Sequence, residues 1–262
     1  MIITLINNKI IDSKNAKISV LSDAFQRGYG IFETLRTYTN KKTFQLNEYI
    51  DRLFDSAGKI DLKMRYSKAE IIKMLEKVIK KSPHKIQRLK IIAIKEGIVI
   101  TSMPMPIDKK FYLGVKCKTI NCLRCIPEVK SISYLSSYLS HERAARLDFY
   151  EAILTDKTGE VYEGAYSNIF WFEGETLCTR KDEVLPGITA KVVIKLSPFK
   201  VKFKSINIKD LYKKEEIFLT QSTKGILPII HIDKHKIGNG KAGEKTKKLM
   251  ELFFAEVEKS KN

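Results

Sequence analysis

From Tyr150 to Phe172 the chain reads YEAILTDKTGEVYEGAYSNIFWF, two runs of β-branched and aromatic residues divided by turn signals. LPGIT follows at 185–189, a proline-glycine break that opens the helical periodicity of ITAKVVIKL. Strands of this kind followed by a helix start point to sheets with helices packed on them. A lone lysine, Lys130, lies upstream in VKSISYLSSYL. The chain order is therefore an amine, a carboxylate (Glu163) in the turn-rich strand pair, and a helix start whose amides suit an anion.

The rest of the chain supplies more alternating elements. IFETLRTY (31–38) predicts a strand, and residues 46–58 space Ile50, Leu53, Phe54 and Ala57 as a helix stopped by Gly58. Ser67 and Glu70 form the sequence signature of a capping box for a second helix, which Pro83 ends. RLKIIAIK (88–95) predicts a strand. MPMPID (103–108) carries two prolines between strand-like segments and is the best linker, dividing the chain into domains at 1–105 and 106–262. Beyond it, FYLGVKCKTI starts the second domain and Tyr134 to Leu147 predicts a helix. EAILT and SNIFWF predict strands, with Glu163 in the loop between them. ITAKVVIKL is a helix, FKVKFKSI a strand and AGEKTKKLMELFFAEVEK a closing amphipathic helix.

A chain of 262 residues, 44% of them hydrophobic, can bury a sizeable core. No apolar run spans a bilayer and MIITLINNKI lacks a signal peptide's regions, so a cytoplasmic protein without membrane partners is expected. The net charge of +18 comes from dispersed lysines with no aromatic-basic motif beside them, which argues against a nucleic-acid partner. A basic binding protein with no enzymatic activity remains a distinct alternative. Cys122 and Cys125 have zinc-like spacing, yet no second pair completes four ligands, so no metal is expected.

The ordered set Lys130, Glu163 and Gly187-Ile188-Thr189 resembles the class IV aminotransferases, the fold-type IV pyridoxal-phosphate enzymes, over nearly the whole chain from Asp23. The resemblance implies an α+β fold of two domains: a small N-terminal α/β domain and a larger C-terminal domain with a β-barrel-like sheet flanked by helices. It implies pyridoxal 5'-phosphate as cofactor, amino acids and 2-oxo acids as substrates, and a homodimer. Lys130 matches the lysine that forms the Schiff base and moves the proton. Glu163 matches the carboxylate on the pyridine nitrogen. Phosphate binding falls to Gly187, Ile188 and Thr189, to Ser222 and Thr223, and to Arg52 in IDRLFDSA. Leu185 matches the side chain packed on the ring, and Tyr134 the tyrosine that hydrogen-bonds the ring hydroxyl oxygen.

Some positions depart from the family. Tyr49 stands where a histidine is usual, Ser133 where an asparagine is usual, and Ala190 replaces the arginine after Gly-Ile-Thr. The segment is FETLR where branched-chain enzymes more often read FEGIR, and Ile86 replaces their substrate tyrosine. Thr34 resembles the threonine of aminodeoxychorismate lyases, but KEGIVITSMP lacks their arginine- and glycine-rich loop. Phe32 replaces a tyrosine of the D-amino acid enzymes at a substrate-binding position. Arg27, Arg88 and Arg180 are expected to bind substrate carboxylates, since the guanidinium fork suits that group. A transaminase acting on D-amino acids such as D-alanine and D-glutamate is the first expectation. An aminodeoxychorismate lyase and a branched-chain aminotransferase are the alternatives.

Overall fold

The computed structural model describes residues 2–260, which divide into two compact units. The first comprises residues up to Pro106 together with Val129–Tyr134, and the second comprises Ile107–Glu128 and Leu135–Lys259. The chain thus leaves the first unit beside the expected linker but returns to it at 129–134, which the expected 106–262 domain does not allow for. Met103 and Pro104 end a strand; proline is tolerated there because no further ladder bond is needed from it.

In the first unit, β1 (Ile3–Ile6) and β2 (Lys9–Ile11) precede a short α1 (Asp23–Arg27). β3 (Ile31–Arg36), α2 (Leu46–Lys59), α3 (Lys68–Lys81), β4 (Gln87–Ile94) and β5 (Gly97–Pro104) follow. The five strands form an antiparallel sheet in the order β2-β1-β5-β4-β3. Alternation sets its two faces. Ile31, Leu35, Leu89, Ile91, Ile100 and Leu5 are buried on one face, where α2 packs on β3 and α3 on β1 and β5. The helices contribute Ile50 and Leu53, and Ile71, Leu75 and Val78, at the spacing of one helical face. The opposite face, with Thr34, Arg88, Lys90 and Thr101, is partly open. α3 starts on the expected capping box: Ser67 Oγ accepts from the Glu70 N–H at 3.3 Å, and Glu70 Oε2 accepts from the Ser67 N–H at 2.8 Å.

Residues 129–134 run beside β3. The Phe32 N–H donates to the Lys130 carbonyl at 2.8 Å, and the Ile132 N–H donates to the Gly30 carbonyl at 3.0 Å. Gly30 makes this approach possible, because a Cβ there would meet the Ile132 and Ile94 side chains at 2.8 Å.

The second unit contains β6 (Val115–Asn121), α4 (Leu135–Ala145), β7 (Glu151–Thr155), β8 (Val161–Gly164), β9 (Asn168–Glu173) and β10 (Thr176–Thr179). It continues with α5 (Ile188–Leu196), β11 (Lys200–Phe203), α6 (Ile208–Leu211), β12 (Ile217–Gln221), β13 (Gly225–Ile232), β14 (His235–Lys236) and α7 (Glu244–Lys259). Its nine-stranded sheet runs β11-β10-β9-β12-β13-β6-β7-β8, with β14 beside β13. The sheet curls into a half-barrel. Its ends come together where the Val161 N–H donates to the Ile206 carbonyl at 2.9 Å, just beyond β11. Trp171, Ile169, Leu219, Leu227, Ile153 and Cys117 fill the curl. α4 packs on β6 and β7, α5 on β12 and α7, and α7 on β13. No helix of the described residues is long and apolar enough to cross a membrane.

Two expectations of local structure need correction. Tyr134 precedes its helix, which begins at Leu135. Glu163 lies in strand β8 and not in a loop. β8 carries one more residue than β7 between the pairs Ile153–Gly164 and Thr155–Val161, a bulge that holds Tyr162 and Glu163. The TGEVYEG stretch reads as turn-like because the bulge breaks the period of two.

Candidate active site

In the first unit, the expected reactive amine sits against an aromatic ring. Lys130 Nζ lies 4.7 Å from the centroid of Phe32, and the Tyr134 ring meets Phe32 edge-on at 5.0 Å. Phe32 is buried on β3, and the backbone bonds between β3 and the 129–134 segment fix this grouping. A second amine, Lys90 Nζ, lies 4.7 Å from the same ring. Burial and the neighbouring Arg88 hold the Lys90 ammonium below the usual lysine range.

Arg52, on α2, makes a bidentate pair with Glu33 of β3: Nε to Oε1 at 2.7 Å and Nη2 to Oε2 at 2.8 Å. Both side chains are buried, so the pair fixes the orientation of the guanidinium fork. Arg27 ends α1 and pairs with Asp23 one turn earlier. Arg88 lies on the open face of β4 with Nη2 3.2 Å from Met103 Sδ, and among the described residues it has no carboxylate partner.

In the second unit, Glu163 is buried, accepts from Arg124 Nε at 2.9 Å, and accepts from the Leu185 N–H at 3.0 Å. Glu163, Arg124 and Tyr162 line a cavity of about 240 Å³. Cys122 and Cys125 are free thiols flanking the segment from which Arg124 reaches Glu163. Asn168 Nδ2 donates to the Leu185 carbonyl at 2.8 Å, so Leu185 is held at both its amide and its carbonyl.

Gly187 follows as the N-cap of α5, with no side chain to cap the first turn. A Cβ at Gly187 would stand 1.9 Å from Asn168 Oδ1, so a larger residue there would displace the side chain that holds the Leu185 carbonyl. Ile188 and Thr189 are buried in the first turn of α5. Its first amides meet no capping oxygen from Gly187, which suits an anion.

Ser222 and Thr223 form the turn between β12 and β13. A buried network braces its flank. Tyr150 Oη donates to Gln221 Oε1 at 2.8 Å, and Lys224 Nζ donates to Tyr150 Oη at 2.9 Å. Gln221 Nε2 donates to Glu151 Oε2 at 3.3 Å, and Glu151 also accepts from the Ala152 and Tyr166 amides and from Ser167 Oγ. His141 Nδ1 lies 3.3 Å from Glu151 Oε1. Burial and the Glu151 carboxylate push the Tyr150 phenol up and keep it a donor.

Arg180, beyond β10, pairs with Glu160 and with Glu183 at 2.6 Å, and its guanidinium stacks 3.9 Å over the Tyr162 ring. The three arginines therefore have three different settings, and only Arg27 and Arg180 are matched by carboxylates of the described residues.

Sequence reasoning missed Glu151, Arg124 and Lys90. Glu151 carried a signal, a carboxylate opening an otherwise apolar strand. Arg124 and Lys90 carried none in a chain with 48 basic residues.

The amino-transferase class IV family profile matches residues 30–232. A putative branched-chain-amino-acid aminotransferase of Methanocaldococcus jannaschii is 32% identical over 95% of this chain and 94% of its own length. A D-alanine aminotransferase of Listeria monocytogenes is 30% identical over 97% of this chain and 95% of its own. The Escherichia coli branched-chain amino acid aminotransferase structure superposes with a TM-score of 0.88 at 25% identity, covering 97% of this chain and 93% of that one. The chain belongs to the class IV aminotransferases and is a pyridoxal-phosphate-dependent transaminase of the fold-type IV group.

Proposed function

We propose that this transaminase exchanges amino groups between D-amino acids, such as D-alanine and D-glutamate, and 2-oxo acids. The observation that carries the reading is the open face of the first unit's sheet. Phe32, Thr34, Arg36, Lys90 and Arg88 share that face by register, and Lys130 Nζ stands over Phe32. A pocket for branched aliphatic side chains needs apolar walls, and this face is cationic. Arg88 is the arginine best suited to a substrate carboxylate, because Arg27 and Arg180 already have carboxylate partners. The D-alanine aminotransferases among the relatives support the same reading. The identity to the Methanocaldococcus jannaschii protein favours the branched-chain alternative.

The residues fit the cofactor. Pyridoxal phosphate, when bound, supplies an electron sink for the charge left at the substrate's Cα. In this reading Lys130 holds the cofactor through its amine and moves the Cα proton. Glu163 would keep a proton on the ring nitrogen, and the start of α5 from Gly187 to Thr189 would bind the phosphate with Ser222 and Thr223, while Arg52, its fork held by Glu33, would add positive charge. Leu185 would pack on the ring, and Tyr134 would donate to the ring hydroxyl oxygen.

The test is a set of half-reactions of the purified pyridoxal form with D-alanine, D-glutamate, L-leucine and aminodeoxychorismate, followed by visible absorbance. D-alanine and D-glutamate are expected to convert the chromophore fastest. Faster conversion by L-leucine would establish the branched-chain reading in its place. Pyruvate released from aminodeoxychorismate without an amino acceptor would identify a lyase.

A further inference from the structure

Lys90 has no part in the chemistry described above, yet its setting is unusual for a lysine. Along β4, Gln87, Leu89 and Ile91 turn towards the helices, and Arg88, Lys90 and Ile92 turn to the open face. The register places Thr34 and Thr101 opposite Lys90, and Arg36 and Met103 opposite Arg88. None of these neighbours is acidic. Glu33, the nearest carboxylate in sequence on β3, belongs to the other face and is taken by Arg52.

Lys90 is half-buried, and among the described residues it makes no ion pair. A partly desolvated ammonium is costly without a counter-charge, and the charge of Arg88 raises that cost. The Phe32 ring recovers part of it through a cation–π contact at 4.7 Å. Lys130 Nζ lies the same 4.7 Å from that ring, so the two amines stand at most twice this distance apart. One is the amine assigned to chemistry. The other is a cation beside it that no carboxylate of the described residues neutralises.

We propose that Lys90 is a specificity residue that, with Arg88, receives the side-chain carboxylate of a dicarboxylic amino acid or 2-oxo acid while Lys130 acts at its Cα. Residues two apart on one face of a strand stand about 6.6 Å apart along it, within the combined reach of two long cationic side chains to one carboxylate. A fixed aliphatic substrate leaves both cations unanswered. A dicarboxylate answers them, so acidic substrates are the class this face selects. The proposal rests on Lys130 being the reactive amine.

The experiment uses the holoenzyme and two unreactive probes, glutarate and butyrate, with affinities measured by titration calorimetry. In wild type, glutarate should bind more tightly than butyrate. Lys90→Met should weaken glutarate roughly ten- to a hundredfold while butyrate changes by less than about twofold, and Lys90→Arg should recover most of the loss. The visible band of the bound cofactor should persist in both variants. Equal effects on the two probes, no effect on either, or a wild type without preference for glutarate would overturn the role of Lys90. Failure of the underlying reading is separate: it would show as a visible band retained by Lys130→Ala, which the Lys90 variants do not affect.

Discussion

At the residue scale, the chemistry assigned to Glu163 depends on two contacts made inside its own unit. Arg124 and the Leu185 amide orient the carboxylate. Glu163→Gln keeps the size of the side chain but loses the charge that favours a protonated ring nitrogen. The variant should retain bound cofactor and slow the half-reaction by roughly ten- to a thousandfold, read by stopped-flow absorbance. An unchanged rate would place the ring-nitrogen partner elsewhere. Glu163 and Gly187 are expected from the sequence because each belongs to a short ordered motif. Arg124 is not, since its partner lies 39 positions away. Glu151 was hidden for a related reason: its donors come from α4, β12 and the 165–167 turn, and only the folded sheet assembles them.

At the element scale, local rules worked where their causes were local. The Ser67–Glu70 capping box, the apolar stripes of α2 and α3, and the uncapped start of α5 at Gly187 all sit where sequence predicts them. The bulge in β8 and the pairing of 129–134 with β3 were not legible, because each depends on a partner strand distant in sequence. A third non-local feature is the charge cluster at the end of β9. Glu173 accepts from Lys214 Nζ at 2.8 Å and Lys204 Nζ at 3.0 Å, and the Lys214 bond above all lowers its pKa to about 2. A depressed carboxylate contributes stability above its unfolded pKa and loses it as pH falls through its folded one. Glu173→Gln should therefore cost about 1–2 kcal/mol at pH 7, measured by denaturant unfolding. The gap to wild type should close between the ordinary glutamate range and about 2. A gap independent of pH would mean that the cluster acts through packing.

At the scale of the whole molecule, the two-unit α+β organisation was legible, but the return of 129–134 to the first unit was not. That return places Lys130, the proposed reactive amine, with β3 and Phe32, whereas Glu163, Leu185, Gly187 and Ser222 belong to the second unit. Composition indicated a basic surface but not where an unmatched cation would lie, and Lys90 was indistinguishable from solvated lysines. Ile18, Val20, Leu21 and Phe25 are exposed around the start of α1, more apolar surface than one short segment normally leaves to water. We expect a homodimer by light scattering, and Leu21→Asp combined with Phe25→Asp should shift it to monomer with loss of activity. A fully active wild-type monomer would contradict that. The proposed chemistry turns on Lys130 being the amine that carries the cofactor. Borohydride reduction of the holoenzyme, followed by digestion and mass spectrometry, tests it directly. The pyridoxyl mass is expected on Lys130 alone; its appearance on Lys90, whose amine also lies over Phe32, or on any other lysine would contradict the assignment.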